Sequence, residues 1–395
     1  MQILDFLDPV DLGKLNIKEQ DHPLVLGKSI RCHSGQGGFP DLENVDIALI
    51  GVMEDRLGEE NRGCALAPDY VRKYLYQLFQ GSFRLQIADL GNIKAGNKVT
   101  DTYFALKSVI VEMIRQKITP VIIGGSQDLT YANYQAYEAL GQIINIVSVD
   151  SRFDIGMQRD EKLSHTNYLS SILTHKPNFL FNFTNLGYQT YLVDQDAIEL
   201  MDKLFFDVYR LGHVRKDMEE VEPIVRNADL LSLDISCIRQ SDAPGNSNAS
   251  PNGFYGEEAC QIVRYAGLSD KLSSIGFYEL NPAFDQGEQT AHLVAQMIWY
   301  FFDGFSHRKK DMPDRKRKET GEYLKYVVSI KDFKNEIVFY KSKKSDRWWM
   351  EVPCPSGLQV KYERQFLVPC SYKDYQAACQ DEMPEKWWQA YQKFL

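Results

Sequence analysis

From residue 45 onward the chain alternates between two kinds of segment, and this rhythm limits its fold more than any other feature. Short apolar runs, DIALIGV (46–52), PVIIGG (120–125), INIVSVD (144–150), DLLSLDI (229–235) and LSSIGFYEL (272–280), stand between longer amphipathic stretches such as PDYVRKYLYQLF (68–79) and DTYFALKSVIVEMIRQK (101–117). Short uninterrupted apolar runs bounded by Gly or Asp are the pattern of strands buried on both faces, and the longer stretches repeat their apolar residues at helical spacing. Alternating strands and helices predict a parallel sheet covered on both sides, with its working loops at the C-terminal ends of the strands. A chain of 395 residues has room for one such domain and a smaller appendage.

The two ends read differently. Residues 1–44 form an irregular N-terminal segment, and its Gly-rich stretch SGQGGFP (34–40) follows no strand and runs into a proline, so it reads as a plain loop rather than a phosphate cradle. The domain spans 45–305. Residues 306–322, SHRKKDMPDRKRKETGE, are dense in Lys and Arg without periodicity and read as a basic linker. Residues 323–395 form a Trp-rich extension: YLKYVVSI, EIVFYKS and RWWMEVPC alternate like antiparallel strands, and the terminus is helical with a break at Pro384. Four of the five tryptophans lie there. They are expected to build its small core or hold it against the main body, because a small appendage needs large side chains to form any core.

Composition narrows the function classes. The net charge of −9 gives no attraction to nucleic acid or anionic membrane. No apolar run approaches the roughly 20 residues needed to cross a bilayer. The opening MQILDFLDPVDLGKL carries acids where a secretory leader carries Lys or Arg. Seven scattered cysteines without a CxxC pair suit reduced thiols, so a cytoplasmic location is expected.

Four strand-end segments hold unusual polar clusters: GGSQDLT (124–130), VDSRFD (149–154), SLDIS (232–236) with the loop APGNSNASPNG after it, and YELNP (278–282). Acids at the ends of apolar strands are costly unless something positive meets them. Asp150 and Asp154 on one strand end and Asp234 on another are placed to converge. The competing reading for each is a turn or helix-cap residue.

The order and spacing of these segments resemble the ureohydrolases: arginase, agmatinase and formiminoglutamase. GGSQD stands where that family has GGDHS, DSRFD where it has DAHxD, SLDIS where it has SxDxD, and YELNP where it has a VEVNP-like segment. IGVMEDRLGEENRGCALAPDYVRKYL and ADLGN are similar to its opening strand, Gly-rich loop, helix and second strand. The resemblance implies a three-layer α/β/α fold with a mainly parallel sheet, here with a small C-terminal α+β extension. It implies hydrolysis of a C–N bond in a linear amidine or guanidine at a two-manganese site, a small guanidino or formimino substrate, and a homo-oligomer.

The ligand positions have changed. One metal of the family corresponds to Gln127, Asp150, Asp154 and Asp234, and these four are expected to hold at most one divalent cation, Mn or Mg, through oxygen. The other metal's positions are Arg152 and Ser236, and an Arg cannot ligate a metal. A two-manganese cluster is therefore not expected. The Arg152 guanidinium is expected to fill the vacated position and return positive charge. By the resemblance, His165 falls where the family places a proton-transferring His and Glu279 where it meets substrate charge, and a one-metal hydrolase would use Asp154 or His165 for proton transfer; Glu279 pairing with Arg152, and Asp128 capping the next helix, are the structural alternatives. Three functional readings follow: a pseudoenzyme or weak hydrolase with a degraded metal site, an active one-metal hydrolase resembling formiminoglutamase, or a scaffold acting through the C-terminal extension.

Overall fold

A computed structural model of the chain describes residues 3–394 except 16, 19, 157–161, 315–316, 332 and 334–335. Ten strands form one sheet. In chain order they are β1 (Leu7–Asp8), β2 (Arg31–Cys32), β3 (Ile47–Val52), β4 (Ile87–Ile93), β5 (Thr119–Ile123), β6 (Ile144–Val149), β7 (Leu180–Tyr188), β8 (Asp207–Arg210), β9 (Leu230–Asp234) and β10 (Ser274–Tyr278). The spatial order is β1-β4-β3-β5-β10-β9-β6-β7-β8, with β2 also on β4. The pairings are parallel apart from β1 with β4. Every residue of β3, β5, β6, β9 and β10 is buried, which is why these strands read as continuous apolar runs.

Helices cover both faces. One layer is α1 (Ala67–Leu75), α2 (Val221–Arg226), α3 (Gly256–Leu268) and α4 (Gln289–Ser306), packed over Leu49, Val121, Leu231 and Phe277. The other includes α5 (Val99–Arg115) and α6 (Leu129–Leu140) over Ile50, Leu90 and Ile122, continuing through α7 (Tyr168–Thr174) beside Ile146 and Phe183. The expected three layers are present. The N-terminal segment is not wholly irregular: β1 and β2 add to the sheet edge, with Val10 and His33 hydrogen-bonded to each other along the backbone.

The extension is a separate four-stranded antiparallel sheet, β11 (Tyr323–Val328), β12 (Ile337–Ser342), β13 (Trp348–Glu351) and β14 (Leu367–Cys370), followed by α8 (Tyr372–Cys379) and α9 (Glu385–Gln392). Pro384 stands at the start of α9. Trp348, Trp349 and Trp387 are buried in its own core with Phe339, Met350 and Phe394; Trp388 is exposed. Only a partly buried Phe181 of the main body joins that apolar cluster among the described residues.

The joint between the two is polar and lies at the N-terminal ends of the parallel strands. Asp229, just before β9, accepts from Arg364 Nη2 at 2.6 Å and faces Lys271 Nζ at 3.6 Å, just before β10. Gln365 donates to the carbonyl of Ile143, just before β6. Arg226 lies 4.5 Å over the Trp349 ring, pairs with Glu222, and donates to the carbonyls of Trp348 and Cys370. Lys393 reaches Asn182 near the start of β7. Burial drives the Lys271 and Lys393 ammonium groups down to about 8. The stretch read as a linker is docked: Arg308 stacks on Phe305 at 3.9 Å and donates to the carbonyls of Gly267 and Leu272. Residues 315–316 of that stretch lie outside the described residues.

Candidate metal centre

Sheet order brings the four singled-out segments together. β5, β10, β9 and β6 are consecutive neighbours, so their C-terminal ends deliver Gln127, Glu279, Asp234 and Asp150 side by side although they are far apart in sequence. Asp150, Asp154 and Asp234 are all buried, and each offers an oxygen within 4.8 Å of the other two. Among the described residues they are the one such group of three candidate ligand side chains.

Both readings of these acids hold at once. Asp150 Oδ1 accepts the backbone N–H of Arg152 at 2.9 Å, and Asp234 Oδ1 accepts that of Ser236 at 2.6 Å, as turn and cap residues do. Asp150 Oδ2 has no hydrogen-bond partner, and its carboxyl group reaches that of Asp154. Two carboxylates in contact need a proton or a cation between them. Burial, then mutual repulsion, raises Asp154 and Asp234 well above the ordinary carboxyl range, and burial raises Asp150.

The donor set fits a hard divalent cation. The three carboxylates make an all-oxygen group, and the Gln127 amide reaches Asp150, with its buried Oε1 lacking a hydrogen-bond partner. Gly124 and Gly125, at φ of 93° and 77°, allow the turn that carries Gln127; a Cβ on Gly125 would lie 2.3 Å from Leu129 Cδ1 and 2.5 Å from the carbonyl of Glu54. Asp154 and Glu279 themselves sit at φ of 50° and 69°. Such strain persists only where the surroundings hold it.

Glu279 is held on every side. Its Oε1 accepts the backbone N–H of Gln127 at 2.6 Å and lies 3.2 Å from His165 Nδ1, and its Oε2 accepts Asn61 Nδ2 at 2.6 Å. Asn61 and Asn246 both donate to its carbonyl, and its own N–H goes to Gly125. Burial opposes charge on His165, but the Glu279 carboxylate outweighs it, assisted by Asp234 and Glu59, and lifts the imidazole to about 9.

Three expectations need correction. The Arg152 guanidinium forms no ion pair with Asp150, Asp154 or Asp234, and does not pair with Glu279, whose partners are those just given. Its main chain turns at the strand end, with its N–H on Asp150 and its carbonyl taking Asn185 Nδ2, and its positive charge still acts to lower Asp150. Asp128 stands at the cap position of α6 without capping it; its buried carboxyl takes the Tyr103 hydroxyl, and burial raises it to about 7. Asn61 and Asn246 were not singled out in the sequence, although the loops that carry them, GEENRG and APGNSN, were. The loop before His165 includes residues 157–161, which lie outside the described residues.

Two surface grooves lie elsewhere. One of about 730 Å³ lies between α3 and α4, and one of about 890 Å³ lies between α2 and the extension. Neither contains a residue of the acid cluster.

Comparison with known proteins agrees with the geometry. A formimidoylglutamase of Staphylococcus haemolyticus is 27% identical over 286 residues, covering 67% of this chain and 90% of the relative. One of Streptococcus gordonii is 25% identical over 288 residues, 66% of this chain and 84% of the relative. Among solved structures, Trypanosoma cruzi formiminoglutamase with Mn2+ superposes with a TM-score of 0.62 at 21% identity, over 68% of this chain and 96% of that one. Bacillus subtilis formimidoylglutamase gives 0.66 at 18%, over 74% and 96%. These structures share the fold. The model of the arginase family matches residues 45–303, well over half the chain, so this protein belongs to the arginase family.

Proposed function

We propose that this chain holds one divalent cation, Mn or Mg, through Asp150, Asp154, Asp234 and Gln127, and that it is a pseudoenzyme or weak hydrolase. The observation that carries this is asymmetry in the acid cluster. The first-metal positions supply three carboxylates and an amide oxygen without a hydrogen-bond partner, whereas Arg152 and Ser236 supply no anionic ligand for a second cation. A bound cation would supply Lewis-acid activation of water, and one cation does this less well than two. Each 1.4 kcal/mol or so of lost transition-state stabilisation costs about tenfold in rate.

The second reading is an active one-metal hydrolase acting on a linear amidine, as the names of the formimidoylglutamase relatives suggest. The His165–Glu279 pair beside the acids supports it. Nδ1 is engaged by Glu279, which leaves Nε2 as the ring atom to move a proton. The scaffold reading has less support, because three of the extension's four tryptophans are used in its own core.

Mass spectrometry after Mn loading and desalting tests the proposal. About one Mn per chain, with rates on guanidino and formimino compounds far below those of the relatives, is the expected result. About two Mn per chain would overturn it, and so would none.

A further inference from the structure

In the groove of about 890 Å³ between α2 and the extension, the extension contributes aromatic rings, and α2 with the turn before it contributes acids. Tyr326, Trp348 and Tyr375 pack with ring centroids 5.0, 5.2 and 5.3 Å apart, and Tyr372 lies 5.8 Å from Tyr375. Sheet register explains the cluster. Trp348 pairs with Cys370 at the end of β14, and α8 starts two residues later, which lays Tyr372 and Tyr375, one helical turn apart, against it. Tyr372 is 54% exposed. Trp348 is 7% exposed, yet its indole N–H makes no hydrogen bond among the described residues. Buried tryptophans usually bond that group, as Trp387 does to the carbonyl of Glu351. The charges beside the rings are paired. Lys341, 5.8 Å from the Trp348 ring, meets Asp346; Glu222 is held by Arg226 and Arg347, and Glu220 by Lys373 and Lys386. Glu219 differs: it lines the groove, is exposed, and forms no ion pair among the described residues.

We propose that this groove docks a proline-rich segment of a partner protein, extended as a polyproline II helix and carrying a basic residue. Such a segment supplies what the groove leaves unmatched. Its rings lie flat on the tyrosines, its main-chain carbonyls are free to accept from Trp348 Nε1, and its cation meets Glu219. A saccharide needs open carboxylates for its hydroxyls, and Glu220 and Glu222 are each held by two cations. A nucleic acid needs unmatched cations to release its counterions, and the groove's lysines and arginines are matched. The groove holds no residue of the acid cluster, so this proposal stands apart from whether that cluster binds a cation.

The probe is a fluorescein-labelled peptide of about ten residues, proline throughout but for one arginine, titrated with the full chain by fluorescence anisotropy. Half-saturation below about 100 µM is expected, and about tenfold weaker binding when glycine and serine replace the prolines, because the flexible chain must then be ordered. Tyr372→Ala should weaken the proline peptide about tenfold. Glu219→Lys should weaken it about fivefold, with little effect on a peptide whose arginine is replaced by alanine. Trp348→Phe keeps a ring and removes the donor, and should cost about fivefold. Circular dichroism checks that each variant is folded; Tyr372 and Glu219 are exposed, so their variants keep the test open if Trp348→Phe does not fold. No binding below about 1 mM overturns the proposal, as does equal binding of the glycine-serine peptide. So does binding that neither Tyr372→Ala nor Glu219→Lys alters. Binding of a maltooligosaccharide or an oligouridylate in place of the proline peptide, lost in Tyr372→Ala, overturns it and assigns the groove to that class.

Discussion

Asp229→Asn removes the negative charge that faces both Lys271 and Arg364 where the extension meets the main sheet. Asp229 is fully buried and Lys271 nearly so, so the ammonium left behind is poorly solvated, whereas Arg364 keeps 41% of its side chain exposed. Removing one partner of a buried pair typically costs about 3–5 kcal/mol. Here the cost has a ceiling. The joint is built from hydrogen bonds and ion pairs, and if the penalty exceeds what they contribute, the extension releases and water solvates both cations. The expected result is a loss of about 3 kcal/mol in the urea transition followed by tryptophan fluorescence, which reports mainly on the extension. Proteolysis within 306–322 should rise about a hundredfold as the released state becomes populated. Asp229→Asn with Lys271→Met should recover more than half of the loss, because the uncompensated ammonium is gone. A single variant within about 0.5 kcal/mol of the unaltered protein, with unchanged proteolysis, would refute this account of the joint.

Burial lowers Lys271 from 10.5 to about 8, so between those values the unfolded chain holds a proton that the folded chain has lost. Stability therefore rises with pH across that window, by about 3 kcal/mol from this group, and Lys271→Met should remove that rise in urea titrations at pH 8 and 10. Arg152→His with Ser236→Asp restores ligand types to the second position and should raise Mn content from about one to about two per chain by mass spectrometry. Gly125→Ala places a Cβ against Leu129 and the carbonyl of Glu54 at a φ of 77°, and should cost about 3 kcal/mol or more in thermal or urea unfolding.

The central strands were legible because each is buried on both faces and so is mostly apolar. β7 was not. Its sequence LFNFTNLGY carries Asn182, Thr184 and Asn185 inside the sheet, where Asn182 bonds Asp207 and Asn185 bonds the carbonyl of Arg152. A strand whose buried polar groups are satisfied by tertiary partners has no apolar signature. The convergence of Asp150, Asp154 and Asp234 followed from strand order. The lack of an ion pair between Arg152 and the acids did not, because residue type alone does not fix how near a long side chain comes to them. The resemblance suggested Glu279 as a substrate contact, but its commitment to His165 needed Asn61 and Asn246, two residues with no distinguishing chemistry in one dimension.

The polar joint makes the extension a latch rather than a second half of the core. The two apolar clusters barely touch, so the main body has little greasy surface to expose if the latch opens, and the extension keeps its own interior. What fastens them is charge and hydrogen bonding at the strand ends opposite the acid cluster. Screening by salt should therefore act on the seating of the extension more than on either apolar interior.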